Sequence, residues 1–494
     1  MLGPRGWPVV GSLLSLGELP HETFSQMAKI YGNVFKVRLG NRTIVVVNGM
    51  KAVRDALLKQ AVTFAGRPKF FSMQRHFPSR QRDEFDRAQE LQLGFLREQI
   101  KKHQLTLKDG NPEDVIDYLL NIRKYGRETE VDIVQKDESI AAMLDSVFGA
   151  GEWEDPDQFK PERFLSEDGE SLNKVKAAKL ASFSFGKRRC PGTIQYDQKA
   201  TEYLTGSGAL DDFLPLFRHF PSRQRNEFDR VLELEINLLH ERIKEHHLTL
   251  KDGNPEDVID YLLNIRKYGR ETEVDIVQKD EKVAAMLVSV FGAGFDTLGK
   301  SLYVFFLYMI LYPNVQEKAQ QEIDAVIGRD RPPAVTDRLN LPYVDCLIYE
   351  LLRHATLAPL SVPHATVNDT KFYGYDIPKE TPVFPNLHSA NFDETEWEDP
   401  DLFKPERFLS QDGQSLNKVK AAKLASFSFG KRRCPGEQLA QKELFLFITL
   451  FLQRCTINKC PGDDPKLKWN HGLSLTPDRF KILTTPRNPL SDKA

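Results

Sequence analysis

The chain has 494 residues, of which 28% are charged and 40% hydrophobic, and its net charge is −2. That length can bury a large core, as one big domain or several. With this ordinary composition and balanced charge, nothing suggests nucleic-acid binding or a disordered tail. The five cysteines (Cys190, Cys346, Cys434, Cys455 and Cys460) are scattered and form no CxxC pair. No disulfide framework or zinc site is therefore expected, and free thiols in a reducing compartment are the simpler reading.

The chain opens on a stiff turn segment, Gly3-Pro4-Arg5-Gly6-Trp7-Pro8, with none of the charged and apolar regions of a signal peptide. Val34–Leu39 and Thr43–Val47 then predict a hairpin about Gly40-Asn41. Beyond it, repetition dominates. Arg75 to Gly151 realigns without a gap on Arg218 to Gly294, and Leu105–Glu138 is identical to Leu248–Glu281. Glu152 to Gly192 then realigns on Glu396 to Gly436, so the first copy lacks any counterpart of residues 295–395. Two long units with a changing offset are not a solenoid. They read as duplicated exons or a gene model joined across tandem neighbours, with two tandem domains as the alternative. Three regions follow: residues 1–73, a duplicated and truncated block 74–192, and a main body 193–494.

The second copy reads continuously. Gly206 to Leu216 leads into an amphipathic helix, Glu227 to Leu248. Asn254 to Lys267 is another, opened by Pro255-Glu256-Asp257. A long apolar-periodic segment runs from Glu281 to Tyr312 and is stopped by Pro313; Asn314–Gly328 and Tyr343–His354 are further helices. Within the long segment, Leu302–Tyr312 is about half the roughly 20 residues a membrane span needs, so it reads as a buried helix. Thr366 to Pro385 is turn-rich, with β-like pieces at Lys371-Phe372-Tyr373 and Val383-Phe384. A Trp/Pro-rich meander, Glu396–Phe408, leads to a cysteine loop and a last helix, Glu437–Arg454.

The chemistry concentrates in four places. In Phe427-Ser428-Phe429-Gly430-Lys431-Arg432-Arg433-Cys434-Pro435-Gly436, Cys434 stands just before a helix and among cations, which should favour its thiolate. Gly430 and Gly436 allow backbone to approach a bulky flat group, and Arg432 offers a fork for a carboxylate. A buried cysteine before a helix is the bland alternative. Gly292-Ala293-Gly294-Phe295-Asp296-Thr297 puts two glycines inside the longest helix, at a cost of about 1 kcal/mol each. A local opening of the helix, or close packing, would account for them. Glu350 and Arg353 share one helix face. His364 follows Pro363, a position where a lone histidine is more often structural. Two features are weaker. The basic run Lys418, Lys420, Lys423, Lys431, Arg432, Arg433 is a solvated face or a docking patch for an acidic partner. His246-His247 has no companion at metal-ligand spacing and reads as surface.

The loop pattern (Phe427, two residues, Gly430, one, Arg432, one, Cys434, one, Gly436) resembles the haem-thiolate loop of the cytochrome P-450 monooxygenases. The other three motifs stand in that family's order. The resemblance covers residues 1–73 and 206–494. Phe291 to Thr297 looks most like the microsomal family-one, aryl-hydrocarbon-hydroxylase group, with the steroid 17α-hydroxylase group close behind; Lys300 is unexpected in either. The resemblance implies a mainly α cytochrome P-450-like fold with a small β-sheet region, incomplete because the C–E helix region is replaced by the duplicated block. It implies that Cys434 is the axial ligand of haem b (iron protoporphyrin IX), that His364 and Arg432 bind the propionates, and that Phe427 packs near the sulfur. Gly430, Gly436, Ala293 and Gly294 would lie against the cofactor. Asp296 and Thr297 would relay protons to the dioxygen being reduced. Glu350 and Arg353 would join Arg407, within Pro405–Phe408, as a structural brace.

The implied activity is insertion of one oxygen atom into a small apolar substrate, aromatic or steroid-like, with electrons from an NADPH-cytochrome P-450 reductase-like donor. That donor would dock on the basic face near Lys431 and Arg433. The implied location is the cytoplasmic face of the endoplasmic reticulum membrane, although the family's N-terminal anchor is absent from this chain. The chain also departs from the pattern. After Gly66-Arg67-Pro68 the family continues into a helix whose Trp and Arg contact the propionates, and no Trp-x-x-x-Arg occurs here. Cys190 repeats the loop but has no counterpart of Asp296, Thr297, Glu350, Arg353 or His364, so it is a poor ligand. A catalytically dead, haem-free product of rearrangement, at most an interaction scaffold, is the rival reading.

Overall fold

The computed structural model describes residues 2–70, 211–250, 258–268, 278–470, 472 and 474–487. The duplicated block, with Cys190, lies outside the described residues.

Helix α1 (Pro20–Tyr31), which the sequence reading missed, begins on a proline at its first position and carries Glu22 in its first turn. The hairpin forms as expected from β1 (Val34–Leu39) and β2 (Arg42–Val47), paired Val34 to Val47 and Leu39 to Arg42. Helix α2 (Met50–Arg54) runs on into a π-helical turn, Asp55–Lys59. The long helices follow: α3 (Arg223–Thr249), α4 (Val258–Tyr268), α5 (Asp280–Leu311), α6 (Pro313–Val326) and α7 (Pro342–Ala355). Ser222 caps α3 by accepting from the Arg225 N–H. After α7 come β3 (His364–Ala365), β4 (Thr370–Phe372), β5 (Tyr375–Ile377) and β6 (Pro382–Pro385), then the short helices α8 (Leu387–Asn391) and α9 (Lys418–Ala421). Helix α10 (Glu437–Arg454) directly follows the cysteine loop. β7 (Cys455–Lys459), β8 (Trp469–Asn470), β9 (Thr476–Pro477) and β10 (Ile482–Pro486) complete the described chain.

The largest sheet has the order β1-β2-β6-β3, with β2 and β6 parallel and the other pairs antiparallel. It joins residues about 340 apart in sequence, Val45 with Val383. A bridge between Gly66 and Ala365 continues it and sets the chain after α2 beside β3. Ala365 N–H donates to the Gly66 carbonyl at 2.8 Å. This small sheet beside a large body of helices is the expected mainly α architecture.

Helix α5 holds two cores together. Its last three turns put Val304, Phe305, Leu307 and Tyr308 against Leu347 and Leu351 of α7 and Leu444, Phe445 and Ile448 of α10. Its first turns put Val283, Ala284 and Leu287 against Phe228 and Leu239 of α3 and Ile259 and Leu262 of α4. Each large apolar side chain buried there contributes roughly 1.5–3 kcal/mol. Gly292–Leu311 is long and apolar enough to cross a membrane by composition. Val304, Phe305, Leu307, Tyr308 and Met309 are nevertheless enclosed by protein, so the last turns of that segment are core. Between the two cores, Ala293, Gly294 and Thr297 lie exposed, so α5 presents an open face at its middle.

Candidate functional site

A buried ionic cluster holds the meander that precedes the cysteine loop. Glu350 and Arg353, one turn apart on α7, are both fully buried. Arg353 Nε donates to Glu350 Oε2 at 2.7 Å and Nη2 to Oε1 at 2.9 Å. Arg407 Nε also donates to Glu350 Oε1, at 3.1 Å, as does the Lys404 N–H at 2.8 Å. The remaining guanidinium protons meet carbonyls. Arg353 reaches Asn391 and Pro400, each at 2.8 Å, and Arg407 reaches Asp399 and Leu402, each at 3.0 Å. The Arg353 guanidinium also lies 5.3 Å from the centre of the Phe392 ring and 5.6 Å from that of Trp397. Such a cluster tolerates burial because its members are closed by one another and by backbone dipoles. It fixes the meander, and the meander leads into the cysteine loop.

Within the loop, Cys434 N–H donates to the Phe427 carbonyl at 2.8 Å, closing a turn around Gly430. Gly430 has φ +71°, and a Cβ there would meet the Leu57 carbonyl oxygen at 1.8 Å. Its smallness therefore lets the loop sit on the π-helical turn after α2. That packing, rather than approach to a ligand, is what the geometry demands of Gly430. Gly436 has ordinary φ, and a Cβ there would lie 4.0 Å from the Cys434 sulfur. Ser428 holds φ +61°, unusual for a residue with a Cβ, and its buried hydroxyl has no hydrogen-bond partner.

Cys434 is open to solvent, yet the protein atoms around it still penalise its charged form. Burial is the main cause that pushes its thiol above the ordinary value. The Gly436 N–H opposes this, Glu437 adds to it and Arg433 opposes it. This corrects the expectation of a thiolate favoured by the helix start and nearby cations. Glu437 stands in the first turn of α10 and holds Arg433 with bonds of 2.5 and 2.7 Å, so the cation nearest the sulfur is already neutralised. A thiolate here would therefore have to come from coordination, which deprotonates a thiol outright.

His364, on β3, is the second element. Its Nδ1 donates to the Phe64 carbonyl at 2.7 Å, while its buried Nε2 has no hydrogen-bond partner. The ring is held neutral, with a pKa lowered to about 3. Burial is the first cause, followed by the Arg67 guanidinium; the bond to Phe64 opposes, and Arg432 adds a smaller lowering. Arg432 Nε donates to the Ala65 carbonyl at 2.8 Å, and Arg67 Nη1 donates to Val362 and Pro363 carbonyls at 2.7 and 3.0 Å. Two guanidiniums and an imidazole thus gather on the Gly66–Ala365 bridge. Sequence reasoning named His364 and Arg432 but took Gly66-Arg67-Pro68 only as a boundary. The signal available was an arginine fixed between Gly and Pro.

The third element is the middle of α5. The helix is continuous from Asp280 to Leu311, which corrects the expected opening at Gly292 and Gly294. Thr297 Oγ1 donates to the Ala293 carbonyl at 2.8 Å, so the hydroxyl lies back against its own helix. A Cβ on Gly294 would meet nothing within 4 Å, so packing does not demand this glycine either. Asp296 is paired with Lys300, at 2.7 Å.

These surroundings fit haem b. A solvent-open cysteine sulfur could ligate iron, and the open, small-residue face of Ala293, Gly294 and Thr297 could lie over a flat ring. His364 Nε2, deprived of a partner and beside Arg67 and Arg432, could receive a propionate. That carboxylate would offset the two cations and let the imidazole take up a proton and donate to it. Among the described residues, no group of histidines, cysteines and carboxylates could hold a separate metal ion. His246 and His247 instead make hydrogen bonds to carboxylates, with Asp260 at 2.8 Å and Asp280 at 3.2 Å. Of the basic run, Lys423 pairs with Glu396 at 2.7 Å and Arg433 with Glu437, while Lys418, Lys420 and Lys431 are exposed.

Comparison with known proteins agrees with this arrangement. The family model described as Cytochrome P450 matches residues 1–75, 151–194 and 193–484. Cytochrome P450 1A1 of Chelon auratus is 31% identical over 98% of this chain and 90% of its own length. The corresponding protein of Pleuronectes platessa is 32% identical over the same shares. That of Macaca mulatta is 31% identical over 96% of this chain and 89% of its own length.

Proposed function

The chain belongs to the cytochrome P450 family and is of the same type as the 1A1 proteins, and from that premise we propose which residues carry its monooxygenase chemistry and what it acts upon. As a family member it is an oxidoreductase that binds haem b and takes electrons from a donor. Bound haem supplies the activation of dioxygen, with one oxygen atom going to substrate and the other to water.

Cys434 ligates the iron, and Phe427, whose carbonyl holds the Cys434 N–H, limits solvent at the sulfur. Arg432, Arg67 and His364 hold the propionates. Ala293, Gly294 and Gly436 would leave room for the ring, and Asp296 and Thr297 would move protons beside it. Glu350, Arg353 and Arg407 keep the cysteine loop in place. The substrate is small and apolar, aromatic or steroid-like, which suits the open, small-residue face of α5. The electron donor is an acidic, NADPH-dependent reductase. It docks on Lys418, Lys420 and Lys431 rather than through Arg433, whose charge Glu437 already offsets. Residues 1–73 and 193–494 form the haem-binding body, and 74–192 are the redundant copy. The likeness to family-one proteins supports a place on the cytoplasmic face of the endoplasmic reticulum membrane. A haem-free scaffold is not favoured by matches that span nearly the whole chain.

The observation that carries this reading is the open Cys434 sulfur, in a loop clamped by the buried Glu350 cluster and followed directly by α10. The test is the reduced carbon-monoxide complex of the purified, haem-reconstituted chain. A thiolate-ligated haem absorbs far to the red of a histidine-ligated one, and Cys434→Ala should abolish that band while Cys190→Ala leaves it. Absence of the band in the unsubstituted chain, or equal loss in both variants, contradicts the assignment.

A further inference from the structure

Asp296 and Lys300 stand one turn apart on α5, and both reach Ser474, in the chain between β8 and β9. Lys300 Nζ lies 2.7 Å from Asp296 Oδ1 and 2.9 Å from Oδ2, and it donates to Ser474 Oγ at 2.5 Å. Ser474 Oγ in turn donates to Asp296 Oδ2 at 2.5 Å. Ammonium, hydroxyl and carboxylate close a ring of three. Ser474 is buried, and the Asp296 and Lys300 side chains are only 22% and 16% exposed. An exposed pair at this helical spacing adds only tenths of a kcal/mol. This one is largely removed from water and has a third member from a remote part of the chain.

The contact continues along the same helix face. Tyr303, at the next turn, stacks on Phe480 with ring centres 4.6 Å apart and accepts from the Phe480 N–H at 3.3 Å. Beside Ser474, the buried Leu475 donates its N–H to the Leu357 carbonyl at 2.7 Å, just past the end of α7. Asp296, Lys300 and Tyr303 thus hold residues 474–480 against the middle of α5. Both carboxylate oxygens of Asp296 are taken, so neither its rotamer nor its protons are independent of Lys300 and Ser474.

We propose that Lys300 is a positioning residue: with Ser474 it holds the Asp296 carboxylate and ties the 474–480 segment to the middle of α5, beside its open face, so that proton delivery there depends on this tether. The proposal rests on the reading of Asp296 as a proton carrier and adds to it the residue that sets that carrier's place. Lys300 reaches the chemistry only through Asp296 and is not itself a catalytic residue.

Two measurements test it, on the full chain. The first is amide hydrogen exchange at Leu475 in a double-mutant cycle of Lys300→Met and Asp296→Asn. Each substitution alone should speed exchange by roughly tenfold, the size expected of a charge-assisted bond, and the double variant should be little faster than either. Additive effects overturn the tether. The second is product formed per electron consumed, followed against pH in the haem-loaded protein. Lys300→Met should lower that yield several-fold and displace its pH profile, and Lys300→Arg should restore most of both. An unchanged yield and profile in Lys300→Met overturns the positioning role. Failure of the haem-thiolate reading would appear elsewhere, as a missing thiolate spectrum in the unsubstituted chain, and the exchange cycle would then decide the tether.

Discussion

Two clusters that contain arginines serve this region, one fully buried around Glu350 and one half-buried around the buried His364, and they are finished differently. Around Glu350, a carboxylate and a set of carbonyls close the protons of Arg353 and Arg407. Around His364, two guanidiniums face an imidazole whose Nε2 is buried with no hydrogen-bond partner. Leaving a buried polar group unmatched is costly, so proteins rarely do it without a use. The closed cluster is complete within the protein and serves the fold. In the other, the buried His364 Nε2 is the atom without a partner, and a haem carboxylate is the group proposed to meet it.

The most damaging way to break this contrast is to open the closed cluster. Arg353→Met leaves Glu350 buried with half its partners gone, and should destabilise the protein by about 3–5 kcal/mol. Thermal unfolding and recovery of soluble protein would register the loss. A change below about 1 kcal/mol would show that the cluster is not what braces the meander.

Acid sharpens the contrast at intermediate scale. His364 and His388 are both buried and neutral, each with a pKa lowered to about 3. For His388 the causes are burial first, then His21, His354 and Arg353. Its ring stacks on Phe392 at 4.2 Å and meets the edge of His21 at 4.7 Å. An unfolded histidine titrates near 6.5, so between about pH 6.5 and 3 the unfolded chain holds more protons than the folded one. Stability should fall as pH is lowered through that window, by about 1.4 kcal/mol per pH unit for each ring, and neither ring contributes above it. Denaturant unfolding at several pH values would measure the slope. Haem should remove the share of His364, which gains an anion, and leave the share of His388. Equal slopes with and without haem would mean that no carboxylate reaches His364.

How much of this was legible in the sequence depended on range. The last helix, Glu437–Arg454, is observed with the bounds read from its pattern, and the long helix differs by one residue at each end because Pro313 stops it. The Glu350–Arg353 pair was legible from spacing alone, and Arg407 only through the family's order of motifs. Contacts across hundreds of residues were not legible. Arg67 meets His364 because Gly66 bridges to Ala365, and Ser474 meets Asp296 because the chain after β8 folds back on α5. Local electrostatics misled in one place. The cations beside Cys434 were counted, but Glu437, which holds Arg433, was not. The helical glycines suggested a break that the backbone does not need, since glycine is tolerated in a helix at moderate cost.

The central claim is that the open cluster is built for haem carboxylates, and esterifying them tests it most directly. Haem b and its dimethyl ester, which keeps the ring and iron but removes both negative charges, can be titrated into the purified chain and followed by their absorption. Free-acid haem should bind about 10–100-fold more tightly, the effect of one charge-assisted bond. Equal affinity for the two would contradict the account.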